Sequence, residues 1–301
     1  DNFLSIDYGV WVDGMDRFVD VPVFTGPITH YERDGSEATV ECQGKEVLLL
    51  APMVQWRTKK FPKGTRITDA IHDLLWMHGE RKMVIPRLHK RLHKPLVVTR
   101  HQEPWRVIRH LVGALPGNYI GLYDGAGYFR VREPASDSVF TFRSGDGGVI
   151  SDEDVPKVTY SIETLRNTIE GLGPRGKGRR GQMRVVAMAK PTSEFSPVAL
   201  GRNGAPRYIV ETIEVDRQGN RPDLVRRVNR VLKDRMEQAL DVAFGCVPIP
   251  HLEEFDKVAV STSEVQAKFI LKTWTLPLVT TDTMSVGYVN RVALTKRGGF
   301  S

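Results

Sequence analysis

Short runs of period two open this chain. The run Phe18, Val21 and Val23 is interrupted by Pro22, which has no N–H to give a ladder, so an edge strand or a bulge is expected there. Ile28-Thr-His-Tyr31 and Ala38-Thr-Val-Glu-Cys42 flank Asp34-Gly35, the signature of a β-hairpin. A second turn at Gln43-Gly44 leads into Val47-Leu-Leu-Leu50, read as a further strand. Together these runs predict a meander of short strands suited to a small barrel.

The period then changes. Ile67, Ile71, Leu74 and Leu75 fall at helical spacing and Gly79 supplies a stop. A second helix is predicted from Pro104, a residue suited to a first helical turn, with Trp105, Ile108, Leu111 and Val112 as its apolar stripe. Tyr119–Tyr123, the turn Asp124-Gly-Ala-Gly127 and Tyr128–Arg132 predict a strand–turn–strand. Beyond residue 138 strands return at Val139–Phe142, Val158–Tyr160, Met183–Ala187, Tyr208–Ile213, Val258–Val260, Phe269–Leu271, Trp274–Leu276 and Val289–Leu294. Two glycine-rich loops, Gly171–Gly181 and Gly201–Pro206, are expected between them. One long helix is predicted over 222–244, striped by Leu224, Val228, Val231, Leu232, Ala239, Leu240 and Ala243, with Asn220 as N-cap and Gly245 as stop. Few helices, many strands and no regular βαβ alternation give an α+β class, predominantly β.

Composition adds bounds. The chain has 301 residues, enough for two or three modest cores. No stretch approaches the roughly 20 apolar residues of a membrane span, so no membrane insertion is expected. No charged-then-apolar leader follows Asp1, so no secretion signal is expected. Cys42 and Cys246 belong to no CxxC or Cys/His array and read as reduced structural thiols. The net charge of +7 is local: residues 81–110 hold nine Lys/Arg against Glu103, a balance of +8, which leaves −1 for the rest. Arginine outnumbers lysine 28 to 15, a bias that fits a GC-rich genome and an actinobacterial-type host.

Each catalytic signature fails on a stated ground. Gly171-Leu-Gly-Pro-Arg-Gly-Lys-Gly178 fits GxGxxG and most of GxxxxGK[ST], but Gly178 stands where a Mg²⁺-binding hydroxyl belongs. A β-run follows it, whereas a phosphate loop needs a helix N-terminus. His89 and His93 are spaced to share a helical face, but Lys90, Arg91 and Lys94 surround them, which opposes a metal ion. Asp152-Glu-Asp154 and Glu253-Glu254 sit in no glycosidase context, and Ser196 and Ser285 lack a GxSxG elbow. Hence no catalytic residue, metal site or cofactor is expected. The basic residues Arg81, Arg87, Lys90, Arg91 and Lys94, with Arg175, Lys177, Arg179 and Arg180 of the glycine loop, are candidate contacts to a partner or an anion. Phosphate-backbone binding and docking onto an acidic protein surface explain such a segment equally well.

Several blocks, in order, resemble the tail hub family, the baseplate hub and late-control proteins of phages and their siphophage tail-tip relatives. They are Val23–Tyr31 with Ala38–Gly44, Arg66–Leu75, Trp105–Val112 with Leu122–Val131, Leu165–Gly171, Ser196–Gly204 and Val247–Val260. The resemblance covers roughly 20 to 295, leaving the basic stretch 81–101 and the Gly/Arg loop 171–182 unplaced. It implies two tube-type β-barrel-like domains, 1–65 and 138–301, with a small inserted α/β domain at 66–137; strands of 138–220 stay open to either tube domain. It further implies a homotrimeric, pseudo-hexameric ring in the virion tail tip or baseplate. The expected partners are a distal tail or tail-tube protein, the tape-measure protein, spike or fibre proteins, and genomic DNA in passage. Two readings of other classes stand beside it: a nucleic-acid-binding module using 81–110, and a tail-associated cell-wall hydrolase.

Overall fold

The N-terminal alternation folds into three antiparallel strands, β1 (Phe3–Val12), β2 (Arg17–Asp34) and β3 (Glu37–Cys42), with β2 in the middle. The computed structural model describes residues 2–51, 58–150, 156–160, 165–175, 182–193, 195–214, 221–237, 240–263, 265–278, 283–287 and 290–294. Strand β1 lies upstream of the first predicted run. Pairing steps from Ile6–Phe24 to Asp7–Pro22, so Val23 is the extra residue of a bulge beside the proline. The Asp34-Gly35 hairpin forms as expected, with Gly35 at φ 59°. Val47–Leu50 departs from expectation. Lys45–Leu49 is a short 3-10 turn, closed by Val47 N to the Gly44 carbonyl at 3.1 Å and Leu50 N to the Val47 carbonyl at 3.2 Å, with Lys45 and Leu49 buried.

Next come β4 (Lys59–Phe61), α1 (Ile67–Met77), β5 (Met83–Val84), β6 (Leu96–Val98), α2 (Pro104–Gly113), β7 (Ile120–Tyr123) and β8 (Phe129–Arg132). Strand β4 pairs with β6, and β8 lies between β5 and β7. The predicted stripes of both helices are buried apart from Trp105, which is half-buried; Ile71, Leu74, Ile108 and Leu111 meet Phe129 and Val131 in one core. Gly79 ends α1 at φ 85° and Pro104 starts α2. These elements belong to a first compact unit of Asp1–Val139, Pro248–Lys257 and Leu276–Thr283.

The second unit takes Phe140–Val247, Val258–Thr275 and Met284–Ser301. Its elements are β9 (Phe140–Arg143), β10 (Lys157–Tyr160), β11 (Thr168–Arg175), β12 (Gln182–Met188), β13 (Val210–Glu214), α3 (Arg221–Glu237), β14 (Leu240–Cys246), β15 (Lys257–Ser261), β16 (Gln266–Ile270), β17 (Thr273–Thr275), β18 (Met284–Gly287) and β19 (Asn290–Leu294). They form sheets ordered β10-β14-β18-β17, β12-β11-β13 and β19-β16-β15-β9. The first and third meet where Phe142 packs edge-on against Phe244 at 4.9 Å. On the second sheet, Leu224, Val228 and Leu232 of α3 cover Ile169 and Ala187.

Two sequence expectations are corrected here. The helix predicted over 222–244 ends at Glu237, and Leu240–Cys246 is a strand between β10 and β18. Buried Val242, Phe244 and Cys246 alternate at period two, and that pattern wins over the helical reading of Leu240 and Ala243. The predicted Gly171–Gly181 loop begins as strand through Arg175, and residues 176–181 lie outside the described residues. A Cβ on Gly171 would lie 2.2 Å from Val228 Cγ2, so this glycine lets α3 approach the sheet rather than cradle a phosphate. At Asn203-Gly204 the expected loop is a tight turn with both residues at positive φ, closed by reciprocal Arg202–Ala205 backbone bonds of 3.1 Å.

Candidate assembly surfaces

A buried polar knot fixes the base of the N-terminal hairpin. Lys45 and Glu80, 9% and 8% exposed, form an ion pair of 2.5 Å. Lys45 Nζ also donates to the Gly127 carbonyl at 2.9 Å and lies over the Tyr123 ring. Glu80 Oε1 accepts the backbone N–H groups of Arg81 and Lys82 at 2.9 and 2.8 Å. Burial, and then the Glu80 charge, pushes the Tyr123 hydroxyl far above the ordinary tyrosine range, so it stays protonated and bonds to Glu80. One carboxylate thus ties together the 3-10 turn, the end of α1 and β7.

The following turn seats β2. Asp124 is 7% exposed, caps the turn through Tyr128 N at 2.8 Å and pairs with Arg130. Thr25 Oγ1 donates to the Gly125 carbonyl at 2.9 Å, and a Cβ on Gly125 would lie 2.1 Å from the Pro22 carbonyl oxygen. Only glycine permits this approach of turn to strand. Close by in sequence, Arg132 reaches Glu253 at 3.1 Å and Asp256 at 3.0 Å. Burial holds the Glu253 carboxyl above its usual range despite the guanidinium, and Asp256 adds to that.

The basic segment divides into anchored and free cations. Its apolar residues Met83, Ile85, Leu88, Leu92, Leu96 and Val98 pack on the α1–α2 core, so the charges point outward from a strap. Arg81 lies over Trp76 at 3.6 Å and donates to the Trp76 carbonyl at 2.7 Å. Arg91 donates to the Gly64 carbonyl at 2.7 Å, and the backbone carbonyl of Lys90 receives Ile67 N. Lys90 is half-buried and Lys94 exposed. Arg87 borders a cavity of about 390 Å³ shared with Arg66, Thr68, Asp69, His72 and Asp73. Among the described residues, Arg81, Lys82, Arg87, Arg91, Arg100, Arg106 and Arg109 have no carboxylate partner. Lys177, Arg179 and Arg180 fall outside the described residues, and the side chain of Arg175 is not described. His89 and His93 are exposed on an irregular segment, so the shared helical face that made them candidate ligands does not exist.

Other predicted candidates serve local structure. Glu253 is taken by Arg132. Ser196 is 1% exposed and its Oγ accepts Ala199 N at 3.0 Å. Asp152–Asp154 lie outside the described residues. Cys42 and Cys246 are both free thiols. Sequence reasoning missed Asn167, which is fully buried: its Nδ2 donates to the Arg207 carbonyl and its Oδ1 accepts Ile209 N, each at 2.8 Å. It pins the 196–209 segment to β11, uniting two of the sequence blocks.

Two apolar faces remain uncovered among the described residues. The hairpin displays Trp11 and Phe18 in edge contact at 5.1 Å, 47% and 65% exposed, with Met15 at the tip. Val186, Met188 and Val210 stand out from the sheet side opposite α3. Exposed apolar groups on free sheet edges favour association with further protein.

No protein-family model and no curated protein sequence matches the chain. Solved structures do. The chain is similar to the tail protein from Neisseria meningitidis MC58, with 14% identity, TM-score 0.65 and coverage of 92% of this chain and 81% of that one. It is similar to the 43 kDa tail protein of prophage MuSo2 from Shewanella oneidensis, with 11% identity, TM-score 0.67 and coverage of 96% and 89%. It also resembles prophage tail protein gp18 from Listeria monocytogenes EGD-e, with 10% identity, TM-score 0.53 and coverage of 94% and 84%. The fold is therefore one that phage tail proteins use.

Proposed function

We propose that this chain is a structural subunit of a phage tail, located at the baseplate hub or tail tip of the virion. One observation carries the reading: the likeness to tail proteins runs through nearly the whole chain and so through both compact units. The ordered sequence blocks support it independently. Such a subunit acts by shape and assembly and needs no catalytic group, and its free strand edges and uncovered apolar faces suit that task.

In this proposal three copies close into a ring. Residues 1–65 and 138–301 each contribute a tube-type β-domain, giving a pseudo-sixfold collar, while 66–137 project outward. The collar joins the tail tube to the tip and leaves a channel for the tape-measure protein and DNA. Its neighbours are a distal tail or tail-tube protein and spike or fibre proteins. Electron microscopy of the purified full chain tests this, with threefold rings around a central opening as the expected result. Single chains at every concentration, or closed particles without an opening, would overturn it.

A further inference from the structure

The hairpin and the basic segment are oppositely charged, and among the described residues neither the four hairpin aspartates nor Arg106 and Arg109 have an ion-pair partner. Residues 3–27 hold Asp7, Asp13, Asp16 and Asp20 against Arg17 alone, a balance of −3. Among the described residues none of these aspartates is ion-paired, and Arg17 leans on Met15 Sδ at 4.0 Å. The register places Asp7, Trp11, Phe18 and Asp20 on one exposed face of β1–β2. That face combines aromatic rings with acid. The basic segment offers the complement: Arg106 and Arg109, about one turn apart on the solvent side of α2, are exposed and without a carboxylate partner.

We infer that the acidic hairpin face of one copy docks on the basic α2 face of the next copy. The inference rests on the ring reading above and says which surfaces would meet. Arginine over Trp11 and Phe18 adds cation–π attraction to the charge pairing, and aromatic side chains with arginine are the residues that interface cores favour. Duplex DNA would satisfy the arginines but leave four hairpin aspartates unanswered, whereas a second copy answers both poles at once. A contact between two different patches is head-to-tail, the kind that closes into a ring when its rotation permits.

The test is sedimentation velocity on the full chain and on charge-reversed variants, D7K/D20K and R106E/R109E. All four positions are exposed, so the melting midpoint is expected to hold. Each pair should weaken self-association at least about a hundredfold, and the fourfold variant should restore it. Rings that form equally well in both variant pairs would overturn this contact and leave the ring reading standing. A wild-type chain that never associates would overturn both. Weakening that the fourfold variant does not reverse puts the two faces in different contacts and overturns the inference. Duplex DNA retained by the wild type and released by R106E/R109E, with rings intact, would assign the arginines to nucleic acid instead.

Discussion

Glu80 carries more of the first unit than any sequence motif suggested. It sits in an unremarkable Gly-Glu-Arg-Lys stretch, yet its two oxygens serve a buried lysine, two backbone N–H groups and a tyrosine. Removing its charge strands Lys45, which is too deeply placed to hydrate. Glu80→Gln should therefore cost about 3–5 kcal/mol, read as a lowered urea midpoint. The paired change K45M/E80L should recover most of that loss, because a well-packed apolar pair tolerates burial better than one orphaned charge. Neither Lys45 nor Glu80 could be matched from sequence, since pairing across 35 positions leaves no local periodicity.

At the scale of elements, the sequence was legible wherever one face is buried. The stripes of α1 and α2, the hairpin at Gly35 and the bulge beside Pro22 all follow from periodicity and turn chemistry. It misled where two periods overlap, at Leu240 and Ala243, and where glycine serves packing. Gly171 looked like part of a phosphate loop because sequence shows the lack of a side chain but not what fills the space. The structure fills it with α3. Gly171→Val should then cost about 1–3 kcal/mol, measured by thermal unfolding, and V228A should return part of it by making room. Of the candidate contacts, the basic strap was visible as charge. The aromatic hairpin was not: Leu4, Ile6, Tyr8 and Val10 alternate with polar residues, but periodicity does not show that Trp11 and Phe18 meet on the exposed face.

Across the whole molecule the two compact units share the chain in alternation, with residues 248–257 and 276–283 returning to the first. Arg132 shows what that return supplies. In the full chain it meets Glu253 and Asp256; in a fragment ending at Val139 it has neither. Arg132→Met should accordingly lower the melting midpoint of the full chain by a few degrees. An unchanged midpoint would show that the returning segment contributes nothing there. The same threading sets a timetable for synthesis. A ribosome releases the first 139 residues long before the carboxylates that answer Arg132, so the nascent first unit must wait, incomplete, for more than a hundred further residues. Through that interval its aromatic hairpin is already exposed. The delay itself is thus a hazard of premature association, and faster translation of the later half should raise the yield of correctly folded chains.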